Sequence, residues 1–188
     1  MRKFFLLVYV YAICGHQLAF AQAGAADDAA SDAQTVEWSG DGISVLVKPL
    51  AADPVRAFLL GRGFASDRAR RYASNCVFRV VLRYAADAPM RYDLRDWRIM
   101  SEAGRSLPLK PREAWMEEWR SPPLNAAARM GFEFSQLPTR QTLARGDTVL
   151  GMSAVPLPPG SRFDLLLNWA ASGASRNAVV EGIRCRAP

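Results

Sequence analysis

The chain is almost without histidine: His16 is the single one among 188 residues. Lysine is nearly as scarce, standing only at positions 3, 48 and 110, so arginine carries the positive charge. Cysteine occurs at positions 14, 76 and 185 alone. Each shortage excludes a chemistry. His16 lies in an N-terminal segment read below as cleavable, so the mature chain would hold no imidazole. Ser-His-Asp and Cys-His catalysis, histidine-ligated metals and c-type haem attachment then drop out. Phosphate-binding glycine loops and dinucleotide fingerprints are missing as well, because Gly61-Arg62-Gly63 follows no strand pattern of the required kind.

What is present begins with an export signal. Met1-Arg2-Lys3 is a short positive start, and Phe4 to Gly15 is an uncharged apolar run. That run falls short of the roughly 20 residues a membrane-spanning helix requires and suits the apolar core of a signal peptide. Small residues then fit two cleavage frames, Ala19-Phe20-Ala21 and Ala21-Gln22-Ala23, of which the second leaves a clean start at Gly24. The expected organisation is a signal peptide over 1–23, a flexible acidic leader over 24–34 and one domain over 35–188. The leader, GAADDAASDAQ, has too little apolar surface to offset the entropy of ordering it. Ile13 before Cys14 argues against lipid attachment at that cysteine.

Cleavage removes Cys14 and leaves Cys76 and Cys185 as a pair. An even count in an oxidising compartment reads as a disulfide. Chain-entropy arguments give such a long loop at most about 4–5 kcal/mol of stabilisation. A catalytic thiol would need a base, and the mature chain offers no histidine for it. The formal charge of +6 falls to about +4 once Arg2 and Lys3 are gone. So moderate an excess fits a solvated surface or an anionic partner and argues against nucleic acid.

The apolar pattern is mostly of period two. Thr35–Trp38 and Ile43–Val47 flank Gly40-Asp41-Gly42 as a hairpin. Asn75–Tyr84 is the clearest strand, with Cys76, Phe78, Val80, Leu82 and Tyr84 on one face and Val77, Arg79, Val81 and Arg83 on the other. Tyr92–Met100 changes phase between Leu94 and Trp97, the mark of a bulge. Further strands are expected at Leu107–Leu109, around Met130-Phe132-Phe134, at Thr148–Val155, at Arg162–Ala170 and at Val179–Arg186. Helical signals are fewer. Asp53-Pro54 reads as an N-cap followed by the first helical position. Ser66–Ala73 reads as a short helical turn or a loop. Pro111–Arg120 places Trp115 and Trp119 one turn apart, with Glu113, Glu117 and Glu118 on the polar side.

About eight strands without βα alternation predict a mainly β chain: an antiparallel β-sandwich with one or two short helices, or alternatively a small closed β-barrel. The architecture resembles an immunoglobulin-like sandwich, with Cys76 on a central strand and Trp97 on the next. It departs from that pattern at the second cysteine, which sits on the last strand, and at Ile183, where a Tyr-x-Cys corner would hold tyrosine.

Three functional readings follow. The first is an exported, non-enzymatic module, periplasmic or secreted, that engages another envelope protein; the basic cluster Arg62, Arg68, Arg70 and Arg71 could meet an acidic partner surface or lipid phosphates. The second is a carbohydrate or polymer binder that stacks rings on Trp115 and Trp119. The third is a hydrolase using carboxylates among Asp93, Asp96, Glu113, Glu117 and Glu118. Met90, Met100, Met116, Met130 and Met152 are scattered, so core packing accounts for them better than Cu(I) ligation. No catalytic residue, metal ligand or cofactor is assigned. Mass spectrometry of the mature protein under non-reducing conditions is expected to show Cys76 and Cys185 joined; free thiols at both would exclude the disulfide.

Overall fold

The computed structural model describes residues 35–187. The signal peptide and leader expected over 1–34 lie outside the described residues. Ten strands and four short helices follow in chain order. The strands form two antiparallel sheets that face one another and do not close into a barrel, so the sandwich expectation holds and the barrel alternative does not.

The first sheet has the order β1 (Val36–Gly40), β2 (Ile43–Pro49), β3 (Cys76–Tyr84) and β8 (Thr148–Val155). Its opening hairpin turns on Asp41 and Gly42, both at positive φ, the backbone that a tight two-residue hairpin demands. The second sheet is built around β9 (Arg162–Ala171). One edge of β9 pairs with β10 (Ala174–Arg184). Along its other edge run β4 (Met90–Asp93) and β5 (Arg98–Ser101) in succession. The phase change read between Leu94 and Trp97 is a 3₁₀ turn, Leu94–Asp96, that separates these two strands. Beyond them lie β7 (Arg140–Leu143) beside β4 and β6 (Ser106–Pro108) beside β5.

Inward positions of both sheets make one core. Val45, Val47, Phe78, Val80 and Leu82 of the first sheet meet Ile99, Phe163, Leu165, Leu167 and Val180 of the second. Cys76 and Cys185 are buried there and bonded, with Cα atoms 5.4 Å apart and a sequence separation of 109. The bond ties the first sheet to the end of the second. A register shift between Val180 and Ile183 makes this geometry available. Before the shift the even positions Ala178 and Val180 point inward; after it the odd positions Ile183 and Cys185 do. Gly182, at φ +73°, occupies the bulge.

Four helices, rather than one or two, cover part of the outer face of the first sheet. They are α1 (Ala52–Leu60), α2 (Ser66–Ala73), α3 (Arg112–Glu118) and α4 (Ala126–Ser135). Helix α1 starts two residues earlier than expected, with Ala51 at the cap position and Asp53 inside, where it pairs with Arg56 at 3.1 Å. Helix α4 corrects the strand expected around Met130-Phe132-Phe134. Asn125 caps it by accepting from the Ala128 N–H at 2.8 Å, and a run of alanines favours the helix. The apparent alternation comes from Phe132 turning inward while Met130 and Phe134 turn outward on adjacent turns. A second core lies under these helices, where Val55, Leu59, Tyr72, Trp115, Trp119 and Phe132 pack on Val77, Met152 and Ala154.

After α4 the chain runs along the edge of β8. Gln136 bridges in parallel to Met152, and the Leu137 N–H donates to the Met152 carbonyl at 2.9 Å. Gly151 permits this approach: a Cβ there would lie 2.2 Å from the Leu137 nitrogen. Overpacking against backbone costs about 1–3 kcal/mol, so Gly151→Ala is expected to lower the unfolding free energy by that much, read as a lower denaturant midpoint. An unchanged midpoint would mean that the segment does not press on β8.

Candidate functional site

Trp115 and Trp119 are not a surface platform. They are 4% and 3% exposed and belong to the core beneath the helices, which corrects the stacking-site reading. Their i,i+4 spacing does bring the rings together, at 5.3 Å, but facing inward. Tyr72 stands 5.0 Å from Trp115, Phe132 4.8 Å from Trp119 and Phe64 5.3 Å from Trp119, which completes an aromatic cluster. Lys110 covers the remaining approach, its ammonium 3.6 Å from the Trp115 ring centroid. The physical reason is hydrophobic: two indoles bury more apolar surface than any other pair the short helix offers.

Four of the five candidate acids are engaged with cations; Asp96 forms no salt bridge among the described residues. Asp93 accepts from Arg95 and from Arg140, the latter at 2.7 Å. Hydrogen bonding from Arg95 holds its carboxyl below the usual range. Glu118 pairs with Arg71 at 2.6 Å and with Lys110. Glu117 pairs with Arg120. Glu113 and Glu117 share a shallow recess with Glu133, where Arg112 lies 3.0 Å from Glu113. Burial pushes Glu113 up, but hydrogen bonds from Thr139 and Arg112 overbalance it and leave this acid below its ordinary value. A carboxylate pair for glycoside chemistry needs one member raised, so neither Asp93 nor Glu113 has the proton-donor character required.

The four arginines of the basic cluster part company. Arg68 donates to the Pro122 carbonyl, Arg71 pairs with Glu118, and Arg70 is exposed on α2. Arg71 also borders a recess beside Lys110 and Glu118, whereas Arg62 reaches a larger, basic concave surface. Arg62 follows α1, lies 3.7 Å over the Phe58 ring and passes beside Gly131 of α4, where an added Cβ would strike it.

That surface is a groove of about 950 Å³ between α1, α4 and the uncovered part of the first sheet. The register explains its floor. Lys48, Arg79 and Met152 lie directly opposite one another on β2, β3 and β8 and all line it. Leu150, two residues before Met152 on the same face, extends the floor and is 60% exposed. Phe58 stands on the α1 wall; Met130, 56% exposed, and Phe134, 85% exposed, stand on the α4 wall. Three of the five large apolar side chains that are exposed among the described residues therefore line one groove. Contiguous exposed apolar surface of this kind marks interaction sites.

The groove is also basic. Lys48, Arg62, Arg79 and Arg186 line it, and no aspartate or glutamate does. None of the four forms a salt bridge among the described residues. Lys48 and Arg79 face each other directly across β2 and β3. Like charges so placed destabilise a sheet. Sequence reading missed this site, apart from Arg62. Lys48 and Arg79 were legible as outward strand positions, but their convergence with α4 was not, because α4 itself was read as a strand.

Tyr72 and Tyr92 give the cores a signature in alkali. Burial raises both phenols far above their ordinary 10.0; a hydrogen bond to Gln136 opposes this at Tyr72, and the charge of Arg112 opposes it at Tyr92. The stability these protons confer is complete below about pH 10. Above that, the unfolded chain loses protons that the native chain keeps, so stability falls by up to roughly 2.7 kcal/mol per pH unit for the pair. Denaturant midpoints on either side of about pH 10 test this; a flat profile would mean that the two rings are not shielded.

No family model matches the chain, and no curated protein matches it. Solved structures do. The yjhA protein of Bacillus subtilis aligns over 77% of this chain and 94% of its own, at 10% identity and a TM-score of 0.44. The candidate lipoprotein ycdA of the same species aligns over 78% of this chain but 38% of its own, at 14% identity and a TM-score of 0.43. A DUF4426 family protein of Pseudomonas aeruginosa covers 83% of this chain and 98% of its own, at 9% identity and a TM-score of 0.39. These are the proteins to which the chain is similar in its mainly β architecture.

Proposed function

We propose that this chain is an exported, non-enzymatic β-sandwich module that binds another protein of the bacterial envelope through the groove between α1 and α4. One observation carries the reading: Met130, Phe134 and Leu150 are exposed on the same concave face as four cations that have no carboxylate partner among the described residues. Apolar anchors within a ring of one charge sign are the composition of a recognition surface, and a partner presenting apolar and acidic groups complements it. Methionine adds adaptability, since its unbranched thioether repacks around different shapes.

The disulfide supports a periplasmic or secreted location, because such bonds persist outside the reducing cytoplasm. No helix among the described residues is long and apolar enough to cross a membrane. The export segment over 1–23 supplies the route in this reading. Carbohydrate stacking on Trp115 and Trp119 is withdrawn, because both rings are buried.

The test is site-specific photo-crosslinking in intact cells. A photoreactive residue at Phe134 or Leu150 is expected to yield one discrete protein adduct. The same residue at Arg105, in the distant β5–β6 turn, is expected to yield none. Arg79→Glu should abolish the Phe134 adduct without lowering the amount of folded protein. Equal labelling from Arg105, or no protein adduct from either groove position, would overturn the proposal.

A further inference from the structure

We infer that the segment taken by the groove is an acidic amphipathic α-helix of the partner, with apolar residues at i, i+3 or i+4 and i+7 flanked by aspartate or glutamate. This rests on the binding-module reading above and adds the shape and charge of what is bound.

The charge follows from what the groove leaves unpaired. The nine salt bridges formed among the described residues occupy arginine and lysine elsewhere, while Lys48, Arg62, Arg79 and Arg186 remain without a carboxylate around one groove. Lys48 and Arg79 are moreover held opposite each other, so an anion set between or above them would relieve their repulsion. Arg62 is fixed at one end by its contact with Phe58 and its passage beside Gly131. Acidic side chains along both flanks of a bound segment would meet these cations.

The helical shape follows from what the groove excludes. An extended peptide binds most firmly by adding to a free sheet edge. Here the β8 edge is blocked at Met152, since Gln136 bridges it and the Leu137 N–H occupies its carbonyl, so an added strand could not run the length of β8. What remains open is a sheet face walled by two helices, α1 of 9 residues and α4 of 10. A cylinder laid between those walls would be a further helix packed on a sheet, the arrangement by which α1–α4 already cover the rest of this face. The lining row Lys48, Arg79 and Met152 crosses three strands, and two interstrand spacings of about 4.8 Å span about 10 Å, the diameter of one helix with its side chains. Walls of 9 and 10 residues accommodate two to three turns, which is what an i, i+3 or i+4, i+7 set of anchors spans.

The experiment uses the mature chain and three synthetic peptides of equal length. One places leucine at i, i+3, i+4 and i+7 with glutamate elsewhere. The second has the same composition in strict Leu-Glu alternation. The third is the helical design with lysine for glutamate. Binding is read by calorimetry and peptide helicity by circular dichroism, and dodecanoate is titrated as a lipid-like control. The acidic helical peptide is expected to bind about tenfold or more tighter than either other peptide, to gain helicity and to weaken as salt rises. Lys48→Glu/Arg79→Glu should reverse the preference toward the lysine peptide, and Phe134→Asp should weaken both; all these side chains are at least partly exposed, and melting curves confirm that the variants fold. Preference for the alternating peptide would overturn the helical shape, and preference for the lysine peptide would overturn the charge. Saturable dodecanoate binding with no peptide binding would overturn both in favour of a lipid. No binding by any of the probes would end the inference, while the crosslinking result would still decide the binding-module reading independently.

Discussion

Strand β3 must be covered on two faces, and the fold is organised around doing so. Its inward residues Cys76, Phe78, Val80, Leu82 and Tyr84 need the second sheet. Its outward residue Val77 needs the helices. Helix α2 leads directly into β3, and α1 follows β2, its neighbour, so the helical layer is anchored where Val77 lies. The layer is not broad enough to reach Arg79, Val81 and Arg83. The groove is the place where helical cover stops and the sheet continues, so the site is a consequence of how β3 is buried rather than an addition to it.

Two close approaches keep the layers in register. The disulfide joins the start of β3 to the end of the second sheet, and it depends on the bulge at Gly182 that turns Cys185 inward. On the other side of the sandwich, Leu137 enters the core past Gly151, which no larger residue could replace without moving backbone. Tyr72 connects this segment to the helical core, since its hydroxyl donates to Gln136 at 2.7 Å. The same segment blocks the β8 edge at Met152.

The electrostatic division of the surface is as informative as its apolar part. Most acids near the helices are spent on neighbours: Glu118 on Arg71 and Lys110, Asp93 on Arg95 and Arg140. Exposed pairs of this kind contribute little stability individually. Their effect is to remove negative charge from circulation, which leaves the groove cations without internal partners. A basic surface therefore forms without an extreme net charge.

Local pattern was sufficient for the long central strands, though not for β7, which no alternation announced. Period-two alternation in β3, β8 and β9 and the Gly-Asp-Gly turn of the first hairpin are dictated by residues adjacent in the chain, and the even cysteine count expected after cleavage pointed to the Cys76–Cys185 bond. Local pattern failed where burial is decided by distant residues. Met130, Phe132 and Phe134 alternate on paper like a strand, yet the aromatic cluster beneath the helices selects Phe132 as the inward residue of a helix. Trp115 and Trp119 share a face, but whether that face meets water or protein depends on Tyr72, Phe64 and Phe132, all far away in sequence. The groove is the extreme case. Its cations come from β2, the end of α1, β3 and the C-terminal segment, and its apolar residues from α1, α4 and β8. No window of the chain holds them together, because only the packing of helices on a sheet brings them to one surface.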